Sequence, residues 1–93
     1  MATVYISIGK AAIDGRNVFD GGVRGETITS SGTAAAGSLT AQAGDIAHIF
    51  CATAVRASVD GSTASASNGI YCPGGVAVQI GMHDGKTVSV IDA

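Results

Sequence analysis

The sequence holds one proline, no tryptophan, two tyrosines and two phenylalanines, and its only leucine is Leu39. Straight-chain helix formers are nearly as scarce, with two lysines, one glutamate and two glutamines. Those side chains lose little rotamer freedom in a helix, so their scarcity excludes a helical bundle. Charged residues make up 13% of the chain, five Lys/Arg against seven Asp/Glu, spread singly. Such a balance leaves no basic footprint for nucleic acid. Four aromatic rings are also too few for a base-stacking platform. No apolar run approaches the roughly 18 residues that a spanning helix needs, so no membrane helix is predicted. Met-Ala-Thr-Val lacks the basic start and apolar run of a secretory leader, so the expectation is a chain made in the cytoplasm.

What remains is abundant in a narrow alphabet: Ala 16, Gly 14, Ser 9, Thr 8, Val 9 and Ile 9 in 93 residues. Length fits one domain, residues 1–93. A net charge of −2, with 21 Leu, Ile, Val and Phe, sets the chain apart from disordered compositions. β-branched residues fit a pleated surface, and the alanines trace no 3.6-residue apolar face. The chain therefore reads as all-β: a small antiparallel β-sandwich or barrel of about 6–8 short strands, each near the usual strand length.

Turn signals divide it. Asp14-Gly15, Asp20-Gly21, Asp60-Gly61, Asn68-Gly69 and Asp84-Gly85 supply the positive φ angles of tight turns. Between them, Val4, Ile6 and Ile8 alternate with Thr3, Tyr5 and Ser7, the pattern of a strand with one wet face. Val55, Ala57 and Val59 alternate with Arg56, Ser58 and Asp60 in the same way. Alternation returns over Val76, Val78 and Ile80 and again from Thr87 to Ile91, and His83-Asp84-Gly85-Lys86 between them predicts a hairpin. Ile46 to Cys51 is apolar at nearly every position, which predicts a central strand covered on both faces. Lys10 to Gly25 is glycine-rich without sustained alternation and reads as a long loop or arm. Ser31 to Ala43 carries no charge, which fits an irregular strand or an exposed edge covered by a neighbour in an assembly.

Alanine buries little area, and at roughly 25 cal/mol per Å² an alanine-rich core is several kcal/mol poorer than one of Leu and Phe. A disulfide, a metal or an oligomer would supply the difference. A Cys51–Cys72 disulfide would close a loop of about 22 residues, worth about 3 kcal/mol. In a reducing compartment the expectation is instead two buried thiols. His48, Cys51, Cys72 and His83 raise the question of zinc, but His48 and Cys51 point to opposite faces of one strand and cannot ligate together. No metal or cofactor is predicted, and an oligomer is the remaining source of stability.

The chain shows no G-x-S-x-G elbow and no phosphate-binding loop with its lysine. Five of the six aspartates flank a glycine, which turn geometry explains. His48 reads as a strand residue and His83 as a turn neighbour. Gly22-Val23-Arg24-Gly25 has the G-x-x-G spacing of a nucleic-acid clamp but lacks its helices and basic surround. No catalytic set emerges, and a non-enzymatic role is expected.

From Val55 onward a strand of small residues leads to the Thr63–Ser67 loop. Ile70-Tyr71-Cys72-Pro73-Gly74-Gly75 follows, then Val76–Ile80 and a closing Gly85–Ile91 arm. This stretch, about residues 55–92, resembles a recurring pattern in small virion accessory proteins of tailed bacteriophages, of the head decoration or cement type. The resemblance implies a virion protein assembled in the host cytoplasm that stabilises the lattice of a major capsid protein, with a homotrimer as its expected state. The glycine-rich arm suggests Arg16, Phe19 and Arg24 as contact residues, since a flexible segment can order on binding. Glycan sites present exposed aromatics, a part that Tyr5 and Tyr71 alone could play here, and Tyr71 is taken as a further contact candidate. It also marks the alternative, a neck, tail or head-fibre module binding a host-surface glycan.

Overall fold

The computed structural model describes residues 2–10, 23–65 and 67–93. These form eight strands: β1 (Thr3–Lys10), β2 (Arg24–Thr29), β3 (Ala35–Ala36), β4 (Asp45–Cys51), β5 (Val55–Ser58), β6 (Ile70–Cys72), β7 (Val78–Gly81) and β8 (Ser89–Asp92). Two four-stranded antiparallel sheets result, ordered β2-β1-β4-β7 and β3-β8-β5-β6. The all-β expectation holds, with two distinct sheets rather than one closed barrel.

Register explains which residues make the core. Val4, Ile6 and Ile8 stand opposite Cys51, Ile49 and Ala47, and all six are buried. On the next strand Ile49 faces Val78 and Ala47 faces Ile80. From the second sheet come Val55, Ala57, Cys72 and Val90, with Val88 just before β8, so one apolar cluster joins both sheets. A period of two residues forces this outcome, because a slip of one would turn every isoleucine of β1 outward.

Three expectations are corrected. His83–Lys86 does form a turn, with Lys86 N donating to His83 O at 3.3 Å and Gly85 at φ +80°. The flanking strands nevertheless belong to different sheets, so it is a crossover and not a hairpin. Its tip is held by residue 41 instead: Gly85 N donates to Ala41 O at 2.8 Å, and Ala41 N donates to Lys86 O at 2.9 Å. β4 is central, as expected, but its outer face is covered unevenly: Ile46 is buried, His48 half-buried and Phe50 exposed. In β5 and β8, Ser58 and Ser89 are buried where a wet face was expected. The 60–64 loop folds over them, and Ala64 N donates to Ser89 Oγ at 3.1 Å.

Lys10 closes β1 and Arg24-Gly25 open β2, so the ends of the expected 10–25 arm lie in the ladder. Residues 11–22, and with them Asp14-Gly15 and Asp20-Gly21, fall outside the described residues. The three described Asp-Gly and Asn-Gly pairs all carry a positive-φ glycine, Gly61, Gly69 and Gly85. Within the uncharged 31–43 stretch only Ala35-Ala36 form a strand, at the edge of the second sheet beside β8. That fits the irregular edge predicted there.

Candidate interaction surfaces

The sheet β2-β1-β4-β7 has an unusual distribution of charge. Its outer face is built from Thr3, Tyr5 and Ser7 of β1, Gly25, Thr27 and Thr29 of β2, His48 and Phe50 of β4, and Gln79 of β7. None of these is an acid, a lysine or an arginine. Tyr5 and Phe50 are register partners on the two central strands, 53% and 37% exposed, with ring centroids 6.5 Å apart. Tilted aromatic pairs at this spacing attract one another and present a broad apolar platform.

The charges of this sheet lie on the other parity, directed toward the sandwich interior. Glu26 stands opposite Ile6, and its carboxylate accepts from Ser38 N at 2.9 Å, Ser38 Oγ at 3.2 Å and Leu39 N at 3.2 Å. It thereby ties edge strand β2 to the segment leaving β3. Asp45 is only 2% exposed and accepts from Gln42 N at 2.9 Å. The Arg24 guanidinium bonds to Asp45 and donates to Thr40 O at 3.0 Å. Lys10 Nζ lies 3.7 Å from the second Asp45 oxygen and donates to Ala43 O at 3.0 Å. A buried carboxylate with two cations and a backbone donor is compensated, so its desolvation is tolerated. Charges turned inward at a sheet margin also leave the outward face bare.

The second sheet presents a smaller surface. Arg56 stands opposite Tyr71 on one side and Ile91 on the other. Its guanidinium carbon lies 5.7 Å from the Tyr71 ring centroid, and Tyr71 is 52% exposed. That contact holds the ring in place while leaving much of it accessible. Just beyond the end of β5, Asp60 accepts from Ser58 Oγ at 2.9 Å, Ser62 N at 3.0 Å and Ser62 Oγ at 2.5 Å. Those donors, Ser62 foremost, hold its carboxyl well below the ordinary range, at about 2. A shallow cleft of about 240 Å³ beside it is lined by Ala57, Ser58, Val59, Asp60, Asn68, Gly69 and Ile70. Its carboxylate is already engaged by the loop's own hydroxyls. At the opposite end of the fold, the Ser30 hydroxyl donates to Asp92 at 2.5 Å and lowers that carboxyl too.

Of the residues singled out in the sequence, Tyr71 is exposed on β6, whereas Arg24 is engaged with Asp45 and Thr40 at the start of β2. β2 packs near β3 at one margin of the sandwich while β6 forms the other edge of its sheet, so the two do not share a surface. Arg16 and Phe19 lie outside the described residues. His48 belongs to the outer face and Cys51 to the core, which keeps them apart as metal ligands. Among the described residues no group of three His, Cys, Asp or Glu converges. Sequence reasoning passed over Glu26, read Asp45 only as a turn neighbour and placed Phe50 in a strand covered on both faces. The parity of Phe50 with Tyr5 becomes visible only in the β1–β4 register, and the latches of Glu26 and Asp45 only once their loop partners are placed. No family model matches the chain, and no curated protein or solved structure matches it.

Proposed function

We propose that this chain is a structural, non-enzymatic virion protein, a decoration or cement protein that binds the major capsid lattice of a tailed bacteriophage. The observation that carries this reading is the uncharged outer face of β2-β1-β4-β7, centred on the exposed Tyr5–Phe50 pair. Water solvates such a face poorly compared with a charged one, and protein interfaces are depleted of charge and enriched in Tyr and Phe at their centres. The face seats on a capsid subunit, and repetition around the lattice multiplies a modest single contact. A homotrimer suits this arrangement, because three linked copies engage three subunits at once. The resemblance of residues 55–92 to virion accessory proteins supports the same reading.

Cryo-electron microscopy of purified particles carrying the protein tests it. The expected result is ordered density at repeating surface positions with Tyr5 and Phe50 against capsid protein. Loss of occupancy in a Tyr5→Ala, Phe50→Ala double variant whose thermal stability is retained would localise the contact. Absence of the chain from washed particles would overturn the proposal.

One observation favours a second reading, a glycan-binding module of a neck, tail or head fibre. The Tyr71 ring, held by Arg56 and half exposed, has the form of a sugar-stacking platform. Glycan-array binding abolished by Tyr71→Ala would favour this reading over the capsid one.

A further inference from the structure

Cys51 and Cys72 come from opposite sheets, the last residues of β4 and β6, and both are fully buried and free. Several restraints bring them to one place. After Cys51 the chain crosses through Ala52-Thr53-Ala54 to Val55, and Val55 is the register partner of Cys72. The turn after Cys72 packs on that crossing. Gly75 N donates to Cys51 O at 2.8 Å, and any Cβ at Gly74 would sit 2.6 Å from Ala52 O. The Cys51 thiol then reaches across the sheets, its one proton shared between Cys72 O at 3.6 Å and Pro73 O at 3.7 Å. The Cys72 thiol donates to Ile70 O at 3.6 Å. Burial pushes both thiols up, Cys72 to about 11, and Cys51 adds to the rise at Cys72, as expected of neighbours sharing an enclosure.

We infer that Cys51 and Cys72 are an inter-sheet disulfide pair, closed by a small-molecule disulfide such as oxidised glutathione while the chain folds and shielded from exchange once it has folded. The chemistry balances as two successive exchanges. The thiolate of one cysteine attacks the glutathione disulfide, forming a mixed disulfide and releasing one glutathione thiolate. The second cysteine, as thiolate, attacks the protein-bound sulfur and releases the other. Both cysteine protons pass to the departing thiolates, so the pair is oxidised by two electrons and one glutathione disulfide is reduced to two thiols. In the folded dithiol form, burial and the protonated state suppress the nucleophile, so the exchange requires opening. The crosslink joins the two sheets at the crossover and supports a core otherwise short of large side chains. It does not rest on the capsid reading, and it replaces the expectation of two lasting thiols wherever the chain meets an oxidising glutathione pool as it folds.

The test uses the whole chain, unfolded and reduced, then refolded either in a glutathione redox buffer or in dithiothreitol. After alkylation, intact mass under non-reducing conditions should show an unalkylated monomer two hydrogens lighter in the first case and a doubly alkylated one in the second. Closing a loop of about 22 residues should raise Tm by roughly 10 °C or more over the dithiol form. Folded dithiol protein given the same oxidant should stay reduced over the time in which the refolding sample closes. Glutathione adducts or intermolecular dimers in place of the internal bond, or a disulfide form no more stable than the dithiol, would overturn the pairing. Rapid oxidation of the folded dithiol would overturn the shielding.

Discussion

In the β2-β1-β4-β7 sheet the strands run to eight residues, and Val4, Ile6, Ile8 and Ile49 fill its inner face. In the β3-β8-β5-β6 sheet no strand exceeds four residues, and much of the cohesion lies in hydroxyls and carboxylates outside the ladder. Ser58, Asp60 and Ser62 bond among themselves, Ser89 accepts from Ala64 N, and Asn68 donates to Thr63 O at 3.1 Å. The same poor alphabet thus yields two solutions. Where isoleucine and valine alternate, burial holds the sheet; where serine and alanine dominate, loops fold back and saturate the polar groups they bury. Specificity follows from both, since the first sheet keeps an uncharged outer face and the second places a loop over part of its own.

The largest test of this contrast is a pair of core truncations. Ile49→Ala should cost about 2–5 kcal/mol, because Ile49 is fully enclosed on the central strand. Val90→Ala, on β8 of the thinner sheet, removes less apolar volume and should cost less; urea denaturation of both variants ranks them. An equal or greater loss at Val90 would show that the sheets do not divide the labour in this way.

Next in size is Asp45→Ala. It leaves Arg24, Lys10 and the Gln42 N–H without their shared acceptor. Arg24 is partly solvated, with its side chain 35% exposed. The loss should therefore fall below that of a fully buried pair, at about 2 kcal/mol. Chemical denaturation of Asp45→Ala beside Arg24→Ala measures it, and a double variant should show coupling between the two sites.

The smallest effect is a pH dependence, read most directly at Asp60 and Cys72 of the second sheet's half. Folding lowers the Asp60 carboxyl from 3.8 to about 2, so its contribution is fully present above pH 3.8 and is lost as pH falls toward 2. Thermal melts between pH 4 and 2 should decline less steeply in Asp60→Asn than in the wild type. Folding raises Cys72 from 9.0 to about 11, so its contribution is present below pH 9 and is lost as pH climbs toward 11. An alkaline melt series of the dithiol form should show the decline, and Cys72→Ala should flatten it.

Legibility in the sequence followed the strength of periodicity. β1 could be read residue by residue, because Val4, Ile6 and Ile8 alternate with small polar groups over a full strand. Asp60-Gly61, Asn68-Gly69 and Asp84-Gly85 announced their turns, since glycine alone adopts positive φ without cost. The partner of a turn is a different matter. Asp84-Gly85 between two alternating runs looks like a hairpin whether the runs pair or diverge into separate sheets, because both need the same reversal. Burial of Ser58 and Ser89 was equally hidden, since the covering residues arrive through a loop with no periodicity. Tyr71 was legible as an exposed ring, whereas Phe50 read as core because its neighbours Ile49 and Cys51 are core.

By itself the sequence determined an all-β chain with a shortage of large core side chains, the positions of its described glycine turns, and the inward face of its longest strand. These are local properties, set by backbone sterics and by the two-residue period of a strand. Only the tertiary structure decided that β7 and β8 part company, that Tyr5 meets Phe50, that Glu26 and Asp45 turn inward, and that Cys51 lies against Cys72. Each of those depends on register and sheet order between residues distant in the chain, and strand pairing is chosen by the burial and hydrogen bonding of the whole.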